Sequence, residues 1–486
     1  MTTEALALIV FLPLLGACAA FALPQRWLAL VIRAGMLPLP FLLLVPTLEV
    51  AGNGSYRVLI GGFASPMGIE WLLDPLSLMM LWLNTGITLL IGLHASVSFP
   101  PDSDNGRRFW PLWLMLFGSM NALVLSADLF NLYVTLELVT LAAIGLIAVE
   151  GKPAALRAAM RYLLLALMAS LLYLLGVGLI YGETGTLDLY LIAERMNPGW
   201  LPVTALSLMM VGLMLKSAIF PLHAWLPAAH GNAPGPVSAI LSAMVVKVSV
   251  YIIWRLWFWS AADWQMEQVA VFMGLLGALA IIYGSIAALV QRRLKMIVAY
   301  STVAQLGYLM LLFPLASTLA FQAATYHLLS HGLAKAAMFL AAANILKQIG
   351  TDRLRRLAGI DQRMPVDVFA FALAGVSIMG LPPSGGFLAK WLFLEAAWAQ
   401  QAWGWLILIA LGGLLAAAYL FRVLAVICLH PRRRLGRRLK AQSRRQAPAH
   451  TSVAALILAL GAILAGFFSA PILDLIESGL PPGMVP

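Results

Sequence analysis

Fourteen apolar stretches, most of them long enough to cross a bilayer, run through this chain, near 4–23, 28–48, 71–98, 109–126, 128–149, 157–182, 202–222, 235–260, 267–290, 295–314, 317–346, 365–395, 403–428 and 450–474. A spanning helix needs about 20 mostly apolar residues. The fourth and fifth stretches are separated only by a tight turn around Ser126–Asp128. Only 10% of the 486 residues are charged and 62% are hydrophobic, whereas a soluble domain carries about 25% charged residues. A water-soluble surface cannot be built from so few charges. The expected fold is an all-α polytopic membrane protein with about 14 transmembrane helices, its outside covered by lipid.

The charges that remain are distributed unevenly. Of the 31 Lys and Arg, 22 fall in the loops after the first, third, fifth, ninth, eleventh and thirteenth stretches, with the densest run between Arg432 and Arg445. The opposite loops hold little beyond Arg57, Arg195 and Arg255, and carry Glu49, Glu70, Glu183, Asp188, Glu194, Asp263 and Glu267. Positive charge stays on the cytoplasmic side. An even number of helices with this alternation puts both termini on the non-cytoplasmic side. The net charge of +11 therefore reads as membrane topology, and nucleic acid is not expected as a partner. The N-terminus lacks a positive leading region, so the first stretch reads as a retained helix. The longest hydrophilic stretches, His430–Ala449 and Glu183–Trp200, are too short to house a soluble catalytic domain. Cys18 and Cys428 lie far apart with no CxxC or Cys/His spacing, so no metal or cluster is expected in this chain.

Ionisable residues inside a span are costly, and they default to functional candidates. Glu137 lies mid-segment in DLFNLYVTLEL (128–138). An isolated buried charge is prohibitive, so this carboxyl must be paired or protonated. It reads either as half of a structural ion pair or as a proton carrier that tunes a lysine. Lys216 precedes Pro221 and His223 in LKSAIFPLH (215–223). Proline removes a backbone hydrogen bond and breaks the helix, and the freed carbonyls need protein or water partners. A lysine beside such a break points to a hydrated cavity, or to a side chain that snorkels. Lys247 sits at the centre of its stretch and would continue the polar track. His327, His331 and Lys335 follow at i, i+4 and i+8, which places all three on one helical face. Lys390 follows LPPSGGFLA (381–389), a second broken helix. Glu395 is its partner or marks the helix end. Two interrupted helices, each with a lysine and one in each half of the chain, form the pattern of a transporter built from internal repeats.

These motifs resemble the antiporter-like subunit family. The resemblance rests on DLFNLYV with Glu137, LKSAIFPLHAWLP (215–227), APGPVS (233–238) with Lys247, QRRLKMIVAYST (291–302) and LPPSGGFLAK (381–390), five motifs in order across about residues 60–425. The family includes proton-pumping membrane subunits of respiratory complex I, subunits of energy-converting hydrogenases, and large subunits of Mrp-type cation/proton antiporters. It implies fourteen core helices with two inverted five-helix repeats. The organisation expected is then residues 1–108 for helices 1–3, 109–260 for the first repeat, 261–428 for the second, and 429–486 for a cytoplasmic basic loop and a C-terminal helix. Its glutamate–lysine pair maps onto Glu137 and Lys216, its central relay onto Lys247 and the histidine stripe, and its exit-side lysine onto Lys390.

Lysine at 390, DLFNLY and YGETGTL (181–187) lean toward the D-type subunit of Mrp antiporters. The length leaves no room for the long lateral helix of the largest members. The resemblance implies a multi-pass subunit of the bacterial inner membrane, working among other membrane subunits of an antiporter or complex I-like assembly. Protons, with Na+ as a candidate, would move along Glu137, Lys216, His223, Lys247, His327, His331, Lys335, Lys390 and Glu395, with no cofactor in this chain. Rival readings are an independent solute carrier, a redox subunit whose chemistry lies in its partners, and a purely structural scaffold.

Overall fold

The computed structural model describes residues 1–197, 199–261, 264, 266–429, 449–482 and 484. The basic run from Arg432 to Arg445, and Asp263, lie outside the described residues. Eleven helices are long and apolar enough to cross a membrane. They are α1 (Thr2–Ala22), α2 (Gln25–Asn53), α3 (Pro75–Ser98), α4 (Asp104–Leu125), α5 (Leu129–Ala148), α6 (Pro153–Thr184), α8 (Gly235–Ser260), α9 (Glu267–Val290), α10 (Leu294–Leu315), α11 (Thr318–Ile349) and α14 (Trp403–Leu429). Shorter apolar helices are α7 (Trp200–Lys216), α12 (Pro365–Met379) and α13 (Gly385–Ala399). At the end, α15 (Ala449–Phe467) meets α16 (Ser469–Glu477). The two are bent by 74° and give a twelfth candidate span when taken together.

The count of eleven or twelve is lower than the fourteen stretches because three stretches do not form one straight helix. The stretch 202–222 ends its helix at Lys216. Pro221 clashes with the carbonyl of Ser217 four residues back and pushes Phe220 out of the helical region. The stretch 365–395 splits at Gly380–Ser384 into α12 and α13. The last stretch bends after Phe467.

The chain is also not purely helical. Tyr56–Leu59 pairs antiparallel with Glu70–Leu73 in a two-stranded hairpin. The expected helix at 71–98 therefore starts only at Pro75, where Asp74 and Ser77 form a reciprocal cap. Such a cap satisfies two otherwise unbonded backbone donors.

Burial divides the helices into two classes. Every residue in the most apolar window of α8 is enclosed, and α10 and α11 are nearly so. On α1, α2, α6, α9 and α14 most of that window is exposed, as expected of helices that face lipid. Small residues allow the close crossings. Gly284 of α9 lies against Ala304 of α10, and a Cβ at Gly284 would come within 2.5 Å of the Ala304 backbone nitrogen. The enclosed helices are the ones that carry most of the ionisable residues.

A row of buried titratable side chains

Glu137 projects from α5 toward the last residue of α7, Lys216. The Lys216 ammonium donates to the Glu137 carboxylate, and also to Thr140 Oγ1 at 3.2 Å. The Ser170 hydroxyl on α6 bonds the same carboxylate. Lys216 is 3% exposed, so its ammonium does not snorkel to the surface. The break after it is sealed by Trp225, which donates to the Leu215 carbonyl at 2.9 Å and stacks on Tyr162 with ring centroids 3.9 Å apart.

Lys247 is fully buried on α8. It follows a π-helical turn, Leu241–Val245, and donates to the carbonyls of Ser242 at 2.9 Å and Ala243 at 2.8 Å. Such single wide turns recur at functional sites because they loosen the regular backbone ladder. The Ser242 hydroxyl meets Thr302 Oγ1 of α10 at 2.9 Å. Thr302 bonds the Val298 carbonyl at 3.1 Å, and Lys335 of α11 donates to that same carbonyl at 3.1 Å and to the Ser301 hydroxyl. A continuous hydrogen-bonded thread thus joins Lys247 to Lys335 through α10.

The stripe on α11 continues it. His327 Nε2 meets the Gln305 carbonyl at 3.1 Å. His327 and His331 stack with centroids 5.5 Å apart, and neither nitrogen of His331 has a hydrogen-bond partner in the protein. Tyr308 lies 5.3 Å from His327, and the Lys390 ammonium lies 5.1 Å from the Tyr308 ring.

Lys390 donates to the carbonyls of Ile378 at 2.8 Å and Met379 at 3.0 Å. The reason is in the sequence. Four residues beyond those carbonyls stand Pro382 and Pro383, which have no N–H to give. Lys390 supplies the missing donor. At the same break, a Cβ on Gly386 would lie 1.9 Å from the Ser377 carbonyl. Gly386→Ala should therefore force α12 and α13 apart and cost about 1–3 kcal/mol, read as a lower melting temperature of the purified protein. Melting as wild type would mean the break is softer than this geometry implies.

This arrangement is shared with known proteins. The NADH:quinone oxidoreductase/Mrp antiporter transmembrane family matches residues 126–416. The chain belongs to that family. NADH-quinone oxidoreductase subunit N of Desulforudis audaxviator is 35% identical over 99% of both chains. The D-type subunit of the Na(+)/H(+) antiporter of Bacillus subtilis is 30% identical over 76% of both. Among solved structures, a chain of the Mrp complex from Dietzia has the same fold, with a TM-score of 0.88 over 98% of this chain and 96% of its own, at 24% identity.

In this member of the NADH:quinone oxidoreductase/Mrp family, two residues of the expected path stand apart. His223 is buried between Phe220 and Tyr283, in ring contacts at 5.4 and 5.0 Å. Glu395 is exposed and accepts from Trp391 at 2.7 Å, so it is not the bonded partner of Lys390. Arg255, placed in a loop by the charge pattern, is instead 2% exposed within α8. Its guanidinium makes two 2.6 Å bonds to Asp74 and stacks on Tyr251 and Trp259. Glu70 and Asp188, assigned to the same loops, are buried too. On the other side Lys295 is buried and donates to the Ala233 carbonyl at 2.7 Å. Arg255 was detectable by the rule applied to the lysines, since it lies inside an apolar stretch.

Proposed function

We propose that the chain is a proton-translocating antiporter-like subunit of a multisubunit membrane complex. The row from Glu137 and Lys216 through Lys247, Lys335, His331 and His327 to Lys390 is its proton path. One observation carries this reading: buried titratable groups, joined by hydrogen bonds or ring contacts over most of their length, occupy the most enclosed helices of a lipid-facing protein. Buried charge inside a membrane is retained where it works. A buried imidazole with no protein partner is costly, and solvent is the partner that fits His331. Protons hop along such a wetted row, and a change of charge at Glu137 shifts the proton affinity of Lys216.

Counting the two broken stretches and the bent C-terminal pair as crossings gives fourteen, with α4–α8 and α9–α14 as inverted repeats and both termini on the non-cytoplasmic side of a bacterial inner membrane. Partners are other membrane subunits and lipid. The first reading of the assembly is an Mrp-type Na+/H+ antiporter with this chain as its D-type subunit, supported by the TM-score of 0.88 to a chain of the Mrp complex. A second reading, a subunit N of a quinone oxidoreductase, is favoured by the longer and closer match to that subunit.

The test is to purify the native assembly, identify its co-subunits and reconstitute it in liposomes. Proton movement driven by a Na+ gradient supports the first reading. Proton movement driven by quinone reduction supports the second. No proton movement under either drive, by an intact assembly, overturns both.

A further inference from the structure

A second buried polar network lies outside the row. On α3, His94 Nε2 meets Asn344 Oδ1 of α11 at 2.8 Å. Asn344 Nδ2 donates to Asp367 Oδ1 of α12 at 2.7 Å, and Ser452 of α15 donates to Asp367 Oδ2 at 2.8 Å. His94, Asn344 and Asp367 are each no more than 3% exposed. His94 and Asn344 also line a cavity of about 470 Å³, together with Glu150, Lys152, Lys295 and Lys347. That cavity opens among the loops that hold the excess of Lys and Arg.

The orientation of the network follows from its acid end. An ionised carboxylate only accepts hydrogen bonds, so Asn344 must turn its N–H toward Asp367. Its carbonyl oxygen then faces His94, and Nε2 of the ring must carry a hydrogen. Nδ1 is left as the basic nitrogen of the neutral imidazole. Protonation there gives an imidazolium whose Nε2–H still points at an oxygen, with a carboxylate behind the bridging amide. The amide dipole lies along that line, positive end toward the anion and negative end toward the ring.

The charged groups that share the cavity with His94 are spoken for. Lys152 pairs with Glu150, Lys295 donates to the Ala233 carbonyl, and Lys347 lies 3.5 Å from Ser98. The groups facing it from α8 and α15 are uncharged: Gly235, Pro236 and Thr451.

We propose that His94 is a proton-binding site at the mouth of this cavity, separate from the row, with its tautomer and charge set by Asp367 through Asn344. It takes a proton from cavity water onto Nδ1 and returns it there. Because Asn344 lies on the helix that carries His327, His331 and Lys335, the charge of this site is read by the helix at the centre of the path. The inference rests on the reading of the chain as a proton-moving subunit.

The experiment uses the whole assembly in two formats. In liposomes, the transport rate is followed against pH on the Lys/Arg-rich side for wild type, His94→Gln and Asp367→Asn. Glutamine keeps a donor for Asn344 but takes up no proton, so one limb of the profile should vanish. Asparagine keeps the shape of the network but removes the anion, so the limb should move to lower pH by about one unit. In nanodiscs, the histidine signal absent from His94→Gln should titrate in wild type and move the same way in Asp367→Asn. The second format needs no transport, so it stands even if the path itself is refuted. A limb unchanged in His94→Gln, or a His94 signal that stays neutral from acid to alkaline pH, overturns the proposal. Should His94→Gln not assemble, the wild-type and Asp367→Asn titrations decide it.

Discussion

Lys216→Ala and Lys216→Arg will both reduce proton transport by the assembled complex to the level of empty liposomes. Alanine removes the ammonium that bonds Glu137 and Thr140. Arginine keeps the charge and can still meet the carboxylate, but a guanidinium does not release its proton in a protein. The arginine variant separates the two readings of the ion pair. If the Glu137–Lys216 pair only holds α5 to α7, arginine should preserve activity. If the pair switches by moving a proton, arginine should be as inert as alanine. The measurement is the quench of a pH-sensitive dye in proteoliposomes, with assembly checked by gel filtration. Glu137→Ala should give the same loss, since it removes the group that sets the lysine's charge. Wild-type rates in Lys216→Arg would leave the pair a structural one.

Arg255→Leu should be the most destabilising single change, by about 3–5 kcal/mol. Asp74 is buried and bonded twice by that guanidinium. With the partner gone, it is a carboxylate in a nearly solvent-free site. The double variant Asp74→Asn with Arg255→Leu should recover much of the loss, because asparagine can still accept from the Ser77 N–H that caps α3 without burying a charge. Thermal melting of the detergent-solubilised protein gives the comparison. An Arg255→Leu protein that melts with wild type would show that the bidentate pair contributes no net stability. The pair lies two turns beyond Lys247 on the same helix, so its loss should also loosen the enclosed α8.

Much of the path was legible because charges inside apolar stretches are few and expensive. Glu137, Lys216, Lys247, His327, His331, Lys335 and Lys390 each stand out against a hydrocarbon background, and each is buried or nearly so in the fold. The connecting atoms were not legible. Ser242, Thr302 and the Val298 carbonyl join Lys247 to Lys335, but serine, threonine and backbone oxygens occur in every helix and give no signal of their own. Tyr308 and Thr140 were hidden for the same reason. Asp74 and Asp367 were passed over because each stands at the start of a helix, where an acidic residue is ordinary. Arg255 was misplaced because it lies near the end of its stretch, where a loop charge and a buried charge look alike in sequence.

Sequence alone determined that this chain lives in a membrane, roughly where its helices run, where two of them break, and which side chains must be accounted for. Those properties depend on hydropathy and on proline, both of which act within a few neighbouring residues. Pairing was decided only by the tertiary structure. Glu137 and Lys216 are 79 residues apart in the chain, and Asp74 and Arg255 are 181 apart. A buried charge requires a partner, but nothing local says which one. The choice is made when helices pack and the solvent that would have served either group is excluded.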